Sequence, residues 1–195
     1  MQNKLKQLTP YYGLYDFWKH KVKDLEKKDI NFNILDLDDT IFSVSERVNS
    51  HKMFQENRAE KWNLLIINEL WLKEVTQKWY KNKPFPTQLI DSVKTDESLI
   101  LTAWIREYQE EKIMHLWLQS FNALITDTWE DKIIALIRYI IFDLKYIPSM
   151  ITVYEDRPQY FIEYRDLLEE ILWCKITIMY VQMTGNKGYK KIEEI

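Results

Sequence analysis

Apolar residues recur at helical spacing in residues 11–28, where Leu14, Phe17, Trp18, Val22 and Leu25 share one face before the charged run Glu26-Lys27-Lys28-Asp29. This spacing predicts a helix on a domain edge with a solvated outer face. Residues 30–37 are short and apolar-rich, as a buried parallel strand is, and they close in the acidic cluster Asp36-Leu37-Asp38-Asp39-Thr40. Residues 43–95 are mostly polar and helical in period. Leu64, Leu65, Ile67, Leu70, Trp71, Leu72 and Val75 form the apolar face of one helix, and Pro84 and Pro86 break the pattern.

After Asp96 strand-like and helix-like segments alternate. Strands are expected at 98–102, 121–126, 150–154 and 175–181, with helices at 105–118, 132–144 and 159–173. Such alternation predicts an α/β domain, a Rossmann-like three-layer parallel sheet covered on both faces. The expected boundaries are an N-terminal helical extension at 1–29, a core at 30–42 and 96–184, and a helical insert at 43–95. Residues 185–195, with Gly185, Gly188 and Lys190-Lys191, read as a flexible tail.

The 195 residues are 46% hydrophobic and 29% charged, the balance of a soluble globular chain. Twenty-seven basic against thirty acidic side chains give a net charge of -3, which offers no basic field for nucleic acid. The longest apolar stretch, 133–142, is interrupted by Arg138 and is too short for a bilayer. Lys4 and Lys6 run into Pro10 without a secretory apolar core, and the single cysteine, Cys174, makes no internal disulfide; both features predict a cytoplasmic protein.

Ligands of open parallel sheets bind beyond the carboxyl ends of the strands. The first strand delivers Asp36 and Asp38 there, the second Thr102, and the fourth Glu155 and Asp156, while Lys132 begins the helix before the fourth. Singly, each has an ordinary structural role: an acidic helix cap, a strand-end hydroxyl, a helix-start lysine. In order, they resemble the motifs of the haloacid dehalogenase superfamily of phosphohydrolases. Ile34-Leu35-Asp36-Leu37-Asp38-Asp39-Thr40-Ile41 looks like its first motif, Leu99-Ile100-Leu101-Thr102 its second, Lys132 its third and Val153-Tyr154-Glu155-Asp156 its acidic fourth. The likeness covers residues 30–181. Tyr154-Glu155-Asp156-Arg157-Pro158 is also similar to an RNA-repair-like subgroup.

The resemblance implies Mg2+-dependent hydrolysis of a small phosphomonoester through an aspartyl-phosphate. Asp36 is then the nucleophile and Asp38 the acid and base. Thr102 would donate to a phosphoryl oxygen and Lys132 would offset negative charge. Asp36, the Asp38 carbonyl and Asp156 would hold the ion, with Glu155 as neighbour or substitute ligand. The insert corresponds in position to a helical cap, from which Arg58, Lys61, Lys81 and Lys83 would meet an anion, although ordinary solvated cap charges are the better explanation of them. The rivals are a non-catalytic module that binds a phospholigand or protein, and a phosphatase of nucleic-acid ends. His20, His51 and His115 show no metal-ligand spacing, and no Gly-rich phosphate loop is present.

Glycine occurs 3 times and tryptophan 8 times, an inversion of usual composition. Trp104 follows Thr102-Ala103, where a phosphate-wrapping loop favours a small residue, and Trp117 falls where a helix should end. Trp62, Trp71 and Trp129 invite the same remark. The pattern predicts that some of these tryptophans are UGA codons read as glycine.

Overall fold

The computed structural model describes residues 14–43, 85–86, 88–104, 106–127, 129–183 and 189–195. Helix α1 (Tyr15–Val22) leads into strand β1 (Glu26–Leu35). The short strands β2 (Phe42–Ser43) and β3 (Phe85–Pro86) follow, then helix α2 (Gln88–Ser92). Beyond them strands and helices alternate: β4 (Ser98–Ala103), α3 (Arg106–His115), β5 (Asn122–Thr126), α4 (Trp129–Arg138), β6 (Tyr146–Glu155), α5 (Gln159–Leu172) and β7 (Lys175–Met183). A π-helical turn, Tyr139–Leu144, extends α4, and β8 (Tyr189–Glu194) ends the chain.

Six strands form one mixed sheet in the order β5-β4-β1-β6-β7-β8, parallel except for β8. The architecture is α/β and consistent with a Rossmann-like fold. Period-2 alternation divides the core between the two faces of the sheet. Phe32, Ile34, Leu99, Leu101, Ile151, Val153, Ile176 and Ile178 pack with α1, α4 and α5. Leu35 and Ile100 face the other way and pack with Leu89 of α2 and with Ile113 and Leu116 along α3. Leu89 thus belongs to the core layer, although the sequence placed it in the insert.

Three other expectations are corrected. The N-terminal helix ends at Val22, and Glu26-Lys27-Lys28 is the start of β1, paired with Tyr146, Ile147 and Pro148 of β6. These charged positions are largely exposed, so the neighbouring backbone and not side-chain burial holds them extended. Strand β6 begins at Tyr146, four residues before the apolar run that suggested it, and carries Pro148. Part of the expected flexible tail forms β8, whose residues Tyr189 to Glu194 run antiparallel to β7. Its lysines and glutamates suit a sheet edge, where charge discourages further pairing.

The expected edge helix does dock. Trp18 and Val22 are buried, and Lys19 Nζ lies 2.9 Å from Glu170 Oε1 of α5. The predicted helix at 64–75 and the cations Arg58, Lys61, Lys81 and Lys83 lie outside the described residues. The ends of the intervening segment meet, Phe42 pairing with Pro86 and Ser43 with Phe85. No helix among the described residues is long and apolar enough to cross a membrane.

Candidate active site

Strand β1 ends at Leu35, and the chain turns sharply through 36–41. Leu37 and Ile41 are fully buried in the second core layer, and Ile41 donates its N–H to the Leu37 carbonyl at 3.2 Å. Asp39 takes the left-handed conformation at φ 60°, which an aspartate tolerates better than most residues. The apolar side chains anchor the turn, and Asp36, Asp38 and Thr40 carry its polar contacts.

Asp36 is fixed on several sides. Its N–H donates to the Tyr154 carbonyl of β6 at 3.0 Å. Its Oδ1 accepts from Lys132 Nζ at 2.7 Å, and Oδ2 accepts from the Thr40 hydroxyl at 3.3 Å. Lys132 also donates to Glu155 Oε2 at 2.9 Å. The Asp156 N–H donates to Thr40 Oγ1 at 3.1 Å, so one threonine links the β1 turn to the end of β6. Carboxylate oxygens of Asp36, Glu155 and Asp156 all lie within 4.8 Å of one another.

Crowding and burial perturb these groups together. Burial drives the Asp36 carboxyl well above its ordinary range; the Glu155 charge adds to this and Lys132 opposes it. Burial likewise pushes Glu155 up to about 7 against the pull of Lys132, and raises Asp156, with the Asp36 charge reinforcing the effect. Burial alone would lower Lys132, but Asp36 and Glu155 overcome it and hold the ammonium above its ordinary value. When ionised, Asp36 and Glu155 share the buried Lys132 ammonium, and Asp156 pairs with Arg157, whose Nε lies 3.4 Å from Asp156 Oδ2. Three carboxylates against Lys132 and Arg157 leave one negative charge in excess. Hard oxygen donors, closely spaced and short of positive charge, suit a divalent cation.

Asp38 belongs to an adjoining set of contacts. Its Oδ1 accepts from Lys112 Nζ at 2.7 Å and its Oδ2 from Gln109 Nε2 at 2.8 Å. Gln109 Nε2 also lies 2.9 Å from Thr102 Oγ1 at the end of β4. In that bond the Thr102 hydroxyl uses an acceptor lone pair and keeps its hydrogen for another partner. Both Asp38 oxygens accept from donors, so Lys112 and Gln109 fix the carboxyl group in place.

Asp36, Lys132, Glu155 and Asp156 thus lie together at one rim of the sheet. The Asp38 side chain and Thr102 stand beside them, joined through Gln109. The acidic metal-type cluster contains the Asp36, Glu155 and Asp156 carboxylates and not that of Asp38. Sequence reasoning missed Gln109 and Lys112, both buried to 1% exposure or less. A signal was present: 109, 112, 113 and 116 fall at helical spacing, so the two polar residues share the inward stripe with Ile113 and Leu116. Cys174 is buried, and burial pushes its thiol up to about 12, consistent with a packing role. The chain matches no family model, no curated protein and no solved structure.

Proposed function

We propose that the protein is a phosphohydrolase of the haloacid dehalogenase type, acting on a small phosphomonoester with Mg2+. The observation that carries this reading is the meeting of Asp36, Lys132, Glu155 and Asp156, with Lys132 Nζ 2.7 Å from Asp36 Oδ1 and 2.9 Å from Glu155 Oε2. A buried carboxylate held beside a buried ammonium at a strand end is a nucleophile of the kind phosphoryl transfer needs.

In this reading an Asp36 carboxylate oxygen attacks phosphorus as the bond to the leaving oxygen breaks, forming an aspartyl-phosphate. Asp38 gives its proton to the leaving oxygen, then takes one from the water that cleaves the acyl-phosphate and frees Asp36. For the first step Asp38 takes a proton from solvent and exchanges one of its present donors for the leaving oxygen, to which that proton passes; its present contacts match the second step. Thr102 directs its hydroxyl hydrogen to a phosphoryl oxygen, and Lys132 neutralises Asp36 and the transferring group. Asp36, Asp156 and the Asp38 carbonyl would hold the Mg2+ ion, with Glu155 beside them, and the ion would supply charge compensation to carboxylates and phosphoryl oxygens alike. The segment between β2 and β3 is the cap of this reading: its two ends meet immediately after the 36–41 turn, where a lid would exclude water.

Turnover of an aryl phosphate by the full chain, with and without Mg2+, tests the proposal beside Asp36→Asn. Mg2+-dependent hydrolysis that the variant lacks supports it. Absence of hydrolysis across a panel of phosphomonoesters, with phosphate binding retained, favours the non-catalytic binding module.

A further inference from the structure

We propose that positions 117 and 173, read as tryptophan, are glycine in the native protein, encoded by UGA codons that its source translates as glycine. Among the described residues four non-glycine positions have left-handed backbone, and two of them are Trp117 at φ 60° and Trp173 at φ 52°. A few per cent of non-glycine residues sit there. Five tryptophans lie among the described residues, at 18, 104, 117, 129 and 173, and finding two of five in this region by chance has odds of about one in a hundred.

Both positions are helix ends of the kind glycine occupies. At the end of α3 the Leu118 N–H donates to the Ile113 carbonyl and the Trp117 N–H to Met114, while Leu118 and Ile113 are both buried. This pair of bonds, with its apolar contact, defines a Schellman motif whose left-handed residue is 117. At the end of α5 the Trp173 N–H donates to the Glu169 carbonyl, the single bond of the simpler left-handed cap. Neither indole repays its backbone strain by filling the core: Trp117 is 86% exposed and Trp173 44%, against 2% for Trp18 in an ordinary helix. A residue with a Cβ loses on the order of tenfold in the folding equilibrium at such a site, a loss glycine avoids.

The composition points the same way. All three glycines lie outside the described residues, a stretch that at ordinary usage would carry about nine. Recoding at 117 and 173 would restore two of the missing glycines and remove two of the eight tryptophans, and UGA differs by a single base from both GGA and UGG. Trp104 does not join the set: it has no left-handed backbone, and its N–H donates to the Thr126 carbonyl at 3.0 Å. Trp129 is the first residue of α4 and also lacks positive φ, while Trp62 and Trp71 fall outside the described residues. The inference touches none of the proposed catalytic residues and stands or falls apart from the phosphohydrolase reading.

The test is tandem mass spectrometry on tryptic peptides of the protein purified from its natural source, with the gene's codons read alongside. The peptides spanning 113–132 and 166–175 contain the two positions, and 7–19 contains Trp18 as the ordinary core tryptophan. The expected result is glycine at 117 and 173 over UGA codons. Glycine at either position upholds recoding there; tryptophan at both overturns the proposal.

Discussion

Replacing Lys132 by methionine keeps most of the apolar stem and removes the ammonium from between Asp36 and Glu155, 2.7 and 2.9 Å away. Breaking a buried ion pair from one side strands the other charge, at ~3–5 kcal/mol. Part of that cost is avoidable, because both carboxyls already bind protons more readily than usual. A carboxyl raised in the folded state binds more protons folded than unfolded between its two pKa values. Stability is then fully present below the unfolded value, 4.5 for Glu155, and is lost as pH rises through the folded value of about 7. Without Lys132 the folded values climb further, so the variant's deficit widens with pH. At pH 8, where wild-type carboxylates are ionised against the ammonium, the loss should be the full ~3–5 kcal/mol. At pH 5 the carboxyls are protonated, and what disappears is two hydrogen bonds, ~1–3 kcal/mol. For a urea slope of ~2 kcal/mol per molar, the midpoint falls by about 2 M at pH 8 and by about 1 M at pH 5. Urea titrations followed by circular dichroism at the two pH values measure both shifts. Equal losses would refute the argument, because they would make Lys132 a packing residue and leave Asp36 without a dedicated counter-charge.

Asp36→Asn should lower turnover of an aryl phosphate at least ~10³-fold. It should also leave stability equal or higher at pH 8, since it removes one of three repelling charges. Mg2+ at about 100 times its dissociation constant should stabilise the wild-type chain by ~2.7 kcal/mol, read by differential scanning calorimetry; Asp156→Asn should lose most of that gain. Lys112→Met removes the donor to Asp38 Oδ1 and should cut kcat by ~10²-fold or more with little change in KM, because in the proposed mechanism Asp38 acts on bonds being broken and not on binding. Trp117→Gly should raise stability by ~1 kcal/mol in urea titration, since almost no apolar contact is lost and the left-handed backbone becomes unstrained.

The central strands were legible because burial on both faces writes them as continuous apolar runs, as in Ile34-Leu35 of β1 and Leu99-Ile100-Leu101 of β4. What escaped were segments extended by a neighbour's backbone. Glu26-Lys27-Lys28 has the composition of a solvated helix end and is a strand because β6 reaches down to Tyr146 beside it. Tyr189 to Glu194 is a strand because β7 presents an open edge. Propensity and pattern carry no record of a partner distant in sequence. The same limit hid Gln109 and Lys112, which lie on an inward stripe that is half polar, so α3 reads as more solvated than it is.

The spacing of the first motif has a physical origin in the turn that bears it. Leu37 and Ile41 are both fully buried, four residues apart and joined by one backbone hydrogen bond, which leaves 36, 38 and 40 for polar work. Position 36 must directly follow the strand, because its N–H closes the β1–β6 ladder against Tyr154. Position 38 must turn toward α3 to meet Gln109 and Lys112. Position 40 must offer a hydroxyl, since that group donates to Asp36 and accepts from the Asp156 backbone in the same place. A serine there keeps both bonds and loses only the buried methyl; valine keeps the shape and loses both bonds. Thr40→Ser should therefore retain the Asp36–Asp156 spacing and the Mg2+-induced thermal shift, and Thr40→Val should lose the shift. Equal shifts in both variants would mean that packing alone, and not this shared hydroxyl, brings the carboxylates of β1 and β6 together.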